Sequence, residues 1–105
     1  MSDERRREKR VPVLVEVLWE GNTGRYDART SDLSLGGCFI DTIGHVTSGE
    51  RLKFKLRVSD EEWIEVEGTV IYAYPNVGFG VQFMNISEID KKKLEMLVHR
   101  EAKDN

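Results

Sequence analysis

Apolar side chains return at every second position along most of this chain, a period that fits pleated strands and excludes a mainly helical fold. Arg51 to Val58 alternates without a break, with Leu52, Phe54, Leu56 and Val58 on one face and Lys53, Lys55 and Arg57 on the other. Val13, Val15, Val17 and Trp19 likewise share one face, ahead of a turn cluster at Glu20-Gly21-Asn22-Thr23-Gly24. Arg25 to Ser31 reads as a polar strand with Tyr26 and Ala28 to one side, and Cys38-Phe39-Ile40 as a short apolar strand after Asp32 to Gly37. Ser59-Asp60-Glu61-Glu62 is a hairpin-length connection into Trp63 to Tyr74, which sets Ile64, Val66, Val70, Tyr72 and Tyr74 on one side. In an antiparallel pairing its Glu65 and Glu67 lie across from Lys53, Lys55 or Arg57. Pro75-Asn76 turns the chain into a last strand with Val77, Phe79, Val81 and Phe83 on one face. Gly78 and Gly80, on the other, leave room for a bend or for another backbone.

The period changes once. Ser87 with Asp90 three residues on resembles a capping box, and acids in the first turn suit the helix dipole. Ile86, Ile89, Leu94, Leu97 and Val98 then recur at helical spacing, giving an amphipathic helix to about Ala102. At 105 residues the chain suits one domain. Six short strands are too few for two full sheets, and an open sheet would leave long unpaired edges. The expected fold is therefore mainly β, a small closed antiparallel barrel with the C-terminal helix over one opening. Residues 11–102 form this unit, between a flexible basic arm at 1–10 and a tail at 103–105.

Charge is unevenly placed. The net charge is −3, from 16 basic and 19 acidic side chains, so the chain is no general polyanion binder. Yet Asp3 to Arg10 carries five positive charges against three negative, while Asp60 to Glu67 holds five acids and no base. The asymmetry suggests a local anion-binding feature at the N-terminus. The apolar stretch Leu33 to Ile40 is far short of a bilayer span, and no apolar run follows Met1 as in a secretory signal. Cys38, the single cysteine, has no disulfide partner within the chain and reads as a small core residue. His45 beside Gly44 reads as a turn residue, His99 as a helix-surface residue, and Asp60-Glu61-Glu62 as a solvated hairpin tip without calcium-loop spacing. With no nucleophile–base pair and no metal spacing, the expectation is a cytoplasmic, non-enzymatic domain without cofactor or membrane span.

Two features carry chemistry. Arg6-x-x-x-Arg10 sets two guanidiniums on one side of a helical turn, or about 13 Å apart if extended. An arginine fork matches phosphate oxygens, or the O6 and N7 of guanine, in bidentate fashion, and four arginines to one lysine in this run favour planar recognition. In Asp32-x-Ser34-x-x-Gly37 a carboxylate at a strand end can accept from the N1–H and N2–H₂ edge of guanine. A serine hydroxyl can bond phosphate or sugar, and Gly36-Gly37 lets a ligand approach the backbone without a Cβ clash. Equally, Asp32 and Ser34 can simply form an Asx or Ser turn closed by the glycines.

Arg5-Arg6-Arg7-Glu8-Lys9-Arg10-Val11-Pro12-Val13, Ser31 to Ile40 and Gly78-Phe79-Gly80-Val81-Gln82-Phe83, in this order, resemble the PilZ domain family. The resemblance implies a six-stranded barrel that binds the bacterial second messenger cyclic di-GMP. It assigns Arg6 and Arg10 to the phosphates and the Hoogsteen edge of guanine, Asp32 and Ser34 to guanine and its ribose-phosphate, and Gly37, after Gly36, to the turn. Arg5 and Arg7 are extra, and Arg5 is placed to stack on or bridge a second ligand molecule. A downstream protein of motility, polysaccharide or transcription machinery would then read the liganded surface. Two other readings compete: a barrel that serves only protein interaction, and a nucleic-acid binder tracking a backbone with Lys53, Lys55, Arg57 and the arm.

Overall fold

The computed structural model describes residues 12–103. Six strands are present: β1 (Glu16–Gly21), β2 (Gly24–Leu33), β3 (Gly37–Asp41), β4 (Arg51–Arg57), β5 (Trp63–Tyr74) and β6 (Gly78–Met84). The helix α1 (Glu88–Lys103) follows. Every pairing is antiparallel, and the order β1-β2-β3-β6-β5-β4 closes on itself through β1 and β4, so the predicted barrel is the fold found. The arm at 1–10 and the end of the tail lie outside the described residues.

Alternation builds the core. Val17, Trp19, Leu52, Phe54, Leu56, Ile64, Val66 and Val70 are all buried, as their spacing predicts, and so are Cys38, Ile40, Phe79 and Val81. Trp19 fills one part of the interior, stacked on Tyr26 with centroids 4.4 Å apart and edge-on to Phe79 at 5.1 Å. The β4–β5 register pairs Lys53 with Glu67 and Lys55 with Glu65, the predicted charge complement. Arg57 instead lies opposite Trp63, holds its guanidinium over that ring and pairs with Glu16 of β1.

The Ser87 hydroxyl caps α1 by accepting from Asp90 N–H at 3.1 Å. Leu94 and Leu97 enter the barrel core, while Arg100 donates to the Val58 carbonyl and Lys93 pairs with Glu62, fixing the helix to the β4–β5 end. Ile89, expected on the buried face, is 70% exposed, because the face turned to the barrel carries Asp90, Leu94, Leu97 and Val98, and Ile89, five residues before Leu94, falls beside it. Val77 is exposed too, since it belongs to the Tyr74–Val77 turn rather than to β6. The largest departure is at the end of β5, where Tyr72 and Tyr74 face solvent at 37% and 55% exposure instead of following Val70 inward.

Candidate functional site

Continuing the alternation of β2 through the half-buried Ala28 and the buried Thr30 would aim Asp32 into the core. It does not point there. The pairing of β2 with β3 slips by one residue between Thr30 and Asp32, so that Thr30 faces Ile40 and Asp32 faces Phe39. Ser31 is the extra residue of this bulge, and a bulge of that kind reverses which face the following side chains occupy. Leu33 takes the core position with 0% exposure, and Asp32 is left half-buried on the outer face.

The turn after it is built by Ser34. Its Oγ accepts from the amides of Gly36 and Gly37, both at 3.2 Å, and donates to the Gly37 carbonyl at 3.2 Å. Those three bonds match the full capacity of a hydroxyl. With 3% exposure, Ser34 lies inside the turn and does not stand out from it. Gly37 is obligatory for a different reason: a Cβ there would lie 2.1 Å from the Val81 carbonyl oxygen of β6. The Phe83 amide donates to the Gly36 carbonyl, so the turn is bonded to β6 as well. Of the two readings open for Asp32-x-Ser34-x-x-Gly37, the turn is present, and it leaves the carboxylate at its outer edge.

The sequence reading missed what stands beside that carboxylate. Asp32 pairs with Phe39, Phe39 with Gly80, and Gly80 with Tyr72, which makes one row across β2, β3, β6 and β5 on the outside of the barrel. Tyr72 reaches this face through a second register slip, between Val70 and Tyr72. Gly78 admits the Ile40 backbone of β3, which a Cβ would meet at 2.2 Å, and both glycines admit rings. A Cβ on Gly80 would meet the Tyr72 ring at 2.6 Å, and one on Gly78 would meet the Phe39 ring at 2.7 Å. Tyr74 lies 5.5 Å from Tyr72 and 6.3 Å from Phe39 between centroids. The aromatic signal was in the sequence, but the period of two assigned both tyrosines to the core.

Ahead of β1, the chain is bound to β2 next to the bulge. Thr30 N–H donates to the Val15 carbonyl, the Thr30 hydroxyl accepts from Val15 N–H and donates to the Val13 carbonyl at 2.7 Å. The segment therefore runs antiparallel to β2, towards Asp32 and the Ser34 turn as it is followed back to Pro12. Arg5, Arg6, Arg7 and Arg10 lie outside the described residues. A groove of about 1040 Å³ occupies a different part of the barrel, along β1, the start of β2, β4 and β5, where Lys55 is paired with Glu65. Cys38 is buried, and among the described residues no three His, Cys, Asp or Glu side chains gather as a metal site. No helix among them is long and apolar enough to cross a membrane.

A family model described as "PilZ domain" matches residues 4–100. In fold the chain is similar to the Bacillus subtilis inhibitor of motility MotI/DgrA, with a TM-score of 0.78, 20% identity, and coverage of 96% of this chain and 53% of that one. It is also similar to the PilZ domain of YcgR from Escherichia coli, solved with c-di-GMP, at a TM-score of 0.76 and 16% identity over 95% and 93% of the two chains. A third likeness is to MrkH of K. pneumonia in its c-di-GMP complex, at 0.77 and 20% over 95% and 55%. The chain thus spans about half the length of the MotI and MrkH chains. Among curated proteins none matches significantly.

Proposed function

The chain belongs to the PilZ domain family, and from that premise we propose that it is a receptor for cyclic di-GMP, held between the arginines ahead of Pro12 and the rim from Asp32 to Gly37. The observation that carries this reading is the bonding of Val13 and Val15 to Thr30. It carries Val13 and Pro12 towards the rim, and Arg10 is only two residues before Pro12. At about 3.3 Å per extended residue, that separation is within reach of the Ser34 turn. The YcgR domain, similar along nearly its whole length, was solved with c-di-GMP, which supports the same ligand class here.

In this reading Arg6 and Arg10 place planar forks on the phosphates and on the O6 and N7 of guanine. Arg5 lies one residue ahead, positioned for a second ligand molecule. The Asp32 carboxylate accepts from N1–H and N2–H₂ of a guanine, a donor pair that adenine does not present. Ser34 contributes by holding Gly36 and Gly37 in the turn, and the glycines let the ligand come close to the backbone. Ligand draws residues 1–10 onto the rim, because a dianion cancels the mutual repulsion of their cations. Arm, ligand and rim together then form a surface that a downstream protein reads. Group transfer has no place in this scheme, so the domain acts as a sensor and not as an enzyme.

The test is a calorimetric titration with cyclic di-GMP, with cyclic di-AMP as control. Saturable binding of the guanine dinucleotide, at least tenfold tighter than the adenine one, is expected; no binding, or equal binding, overturns the reading. Salt separates it from a nucleic-acid interface. Two phosphates predict a loss of about tenfold or less between 50 and 200 mM salt, against about 10³-fold or more for a surface tracking six or more phosphates. The pairing of Lys53 and Lys55 with Glu67 and Glu65 already removes most of the field such a surface would use.

A further inference from the structure

We propose that Phe39, Tyr72 and Tyr74 form a platform on which a purine base of the ligand stacks, with the Asp32 carboxylate at its edge to choose among purines. The proposal rests on the dinucleotide reading above and adds a subsite to it. Its first support is register: Asp32, Phe39, Gly80 and Tyr72 occupy one cross-strand row, so carboxylate and rings project from the same face. Neighbouring strands are about 4.8 Å apart, which sets Asp32 immediately beside the Phe39 ring.

The second support is ring orientation. Phe39 and Tyr72 lie 6.1 Å apart with planes 31° from parallel, and Phe39 and Tyr74 6.3 Å apart at 30°. Both separations fall within the range of about 4.5–7 Å for interacting aromatic rings, so the rings make one cluster. Gly78 and Gly80 are the floor beneath them: a Cβ at either position would meet the Phe39 or the Tyr72 ring, so both rings lie against β6, with Phe39 half-buried. Tyr72 and Tyr74 remain 37% and 55% exposed.

The third support is that the two register slips of the barrel bring their side chains to this same row. One turns Asp32 outward and the other turns Tyr72 outward. Bulges that re-aim side chains are concentrated at binding sites. Covering a strand glycine with an aromatic ring is also a structural device, and it alone would account for Tyr72 over Gly80. It does not account for Tyr74 or for the carboxylate in the row. Stacking tolerates any base, because every base has a π-face, whereas the carboxylate distinguishes donor patterns. Grip and choice are thereby divided between neighbouring side chains.

The experiment titrates cyclic di-GMP and cyclic di-AMP into the wild-type chain, Tyr72→Leu, Tyr74→Leu and Tyr72→Trp, with melting of each ligand-free protein. Tyr72→Leu keeps an apolar cover on Gly80 and is expected to weaken cyclic di-GMP about tenfold, the loss of one stacked base. Tyr72→Trp restores wild-type affinity or better. The ratio between the two dinucleotides stays unchanged in Tyr72→Leu, unlike in Asp32→Ala. Should Tyr72→Leu melt early, Tyr74→Leu, at the most exposed of the rings, is expected to show the same loss at an unchanged melting temperature. Wild-type affinity in both leucine variants overturns the platform while leaving the receptor reading intact. A wild-type chain that does not bind cyclic di-GMP overturns both.

Discussion

Removing the Ser34 hydroxyl separates a turn-building role from a ligand-contacting one. In Ser34→Ala the amides of Gly36 and Gly37 lose their acceptor and the Gly37 carbonyl loses one of two donors. That carbonyl still accepts from Ser34 N–H at 2.9 Å, so it is not orphaned. Gly36 is only half-buried and its amide can turn to water, but Gly37 is buried against β6. The cost is therefore dominated by one desolvated, unpaired amide, about 1–3 kcal/mol. For a domain of this size each kcal/mol moves the melting temperature by about 4–8 °C, so a central cost of about 2 kcal/mol predicts a drop of about 8–16 °C without ligand.

Thermal melting and urea titration of the ligand-free variant measure this loss, with calorimetry at a temperature where it is fully folded. Affinity for cyclic di-GMP is expected to fall severalfold, because the rim is less well held. The reasoning fails if Ser34→Ala melts within about 2 °C of the parent yet loses affinity by tenfold or more. A hydroxyl that matters only to the ligand behaves in that way, and the three internal bonds would then be worth nothing to the fold.

Arg10→Ala is expected to reduce affinity for cyclic di-GMP at least tenfold, with the melting temperature of the free domain unchanged; a large loss of stability would make the residue structural. Asp32→Ala should narrow the preference for the guanine over the adenine dinucleotide more than it weakens binding of either, read by paired titrations, and equal losses would exclude the carboxylate from base reading. Gly37→Ala places a Cβ 2.1 Å from the Val81 carbonyl, so β3 and β6 must separate. A loss of more than about 2 kcal/mol in urea unfolding is expected, and near-parental stability would show that the pair yields easily.

What the sequence made legible follows from periodicity. Unbroken alternation in Arg51–Val58 predicted which face of β4 is buried, and the lysines there predicted their glutamate partners on β5. Ser87 marked the start of α1 because capping is a local matter of one side chain and one amide. Ile89 was misplaced because it stands five residues before Leu94 and so beside the buried face, whose first-turn position is held by the half-buried Asp90 and carries no apolar signal. The close approach of another backbone, read from Gly78 and Gly80, is found at Gly78 against the Ile40 carbonyl, but the Tyr72 ring over Gly80 was not foreseen, since a missing Cβ does not say what occupies its space. The proposed placement of Arg6 and Arg10 at the rim was legible only as a motif spacing. What supports it, the bonding of Thr30 to Val13 and Val15, depends on a pairing between residues far apart in the chain.

The two departures from alternation have a common logic. In a barrel this small, every side chain on the inner face must fill the core, so a carboxylate at an inward position would be buried at a cost of several kcal/mol, and a run of inward tyrosines would overfill it. A strand that must carry both core residues and an outward Asp or Tyr at the wrong parity has one inexpensive remedy, an extra residue that resets the period. β2 uses Ser31 for this and gains Leu33 in the core as it turns Asp32 out. In β5 the exposed Ile71 takes the same part, bringing the half-buried Ala73 onto the inner side and releasing Tyr72 and Tyr74. Stability alone would be served equally well by unbroken strands with apolar residues in phase. That the breaks fall on two strands yet deliver an acid and an aromatic to a single row is the expected mark of a site shaped for a ligand rather than for packing.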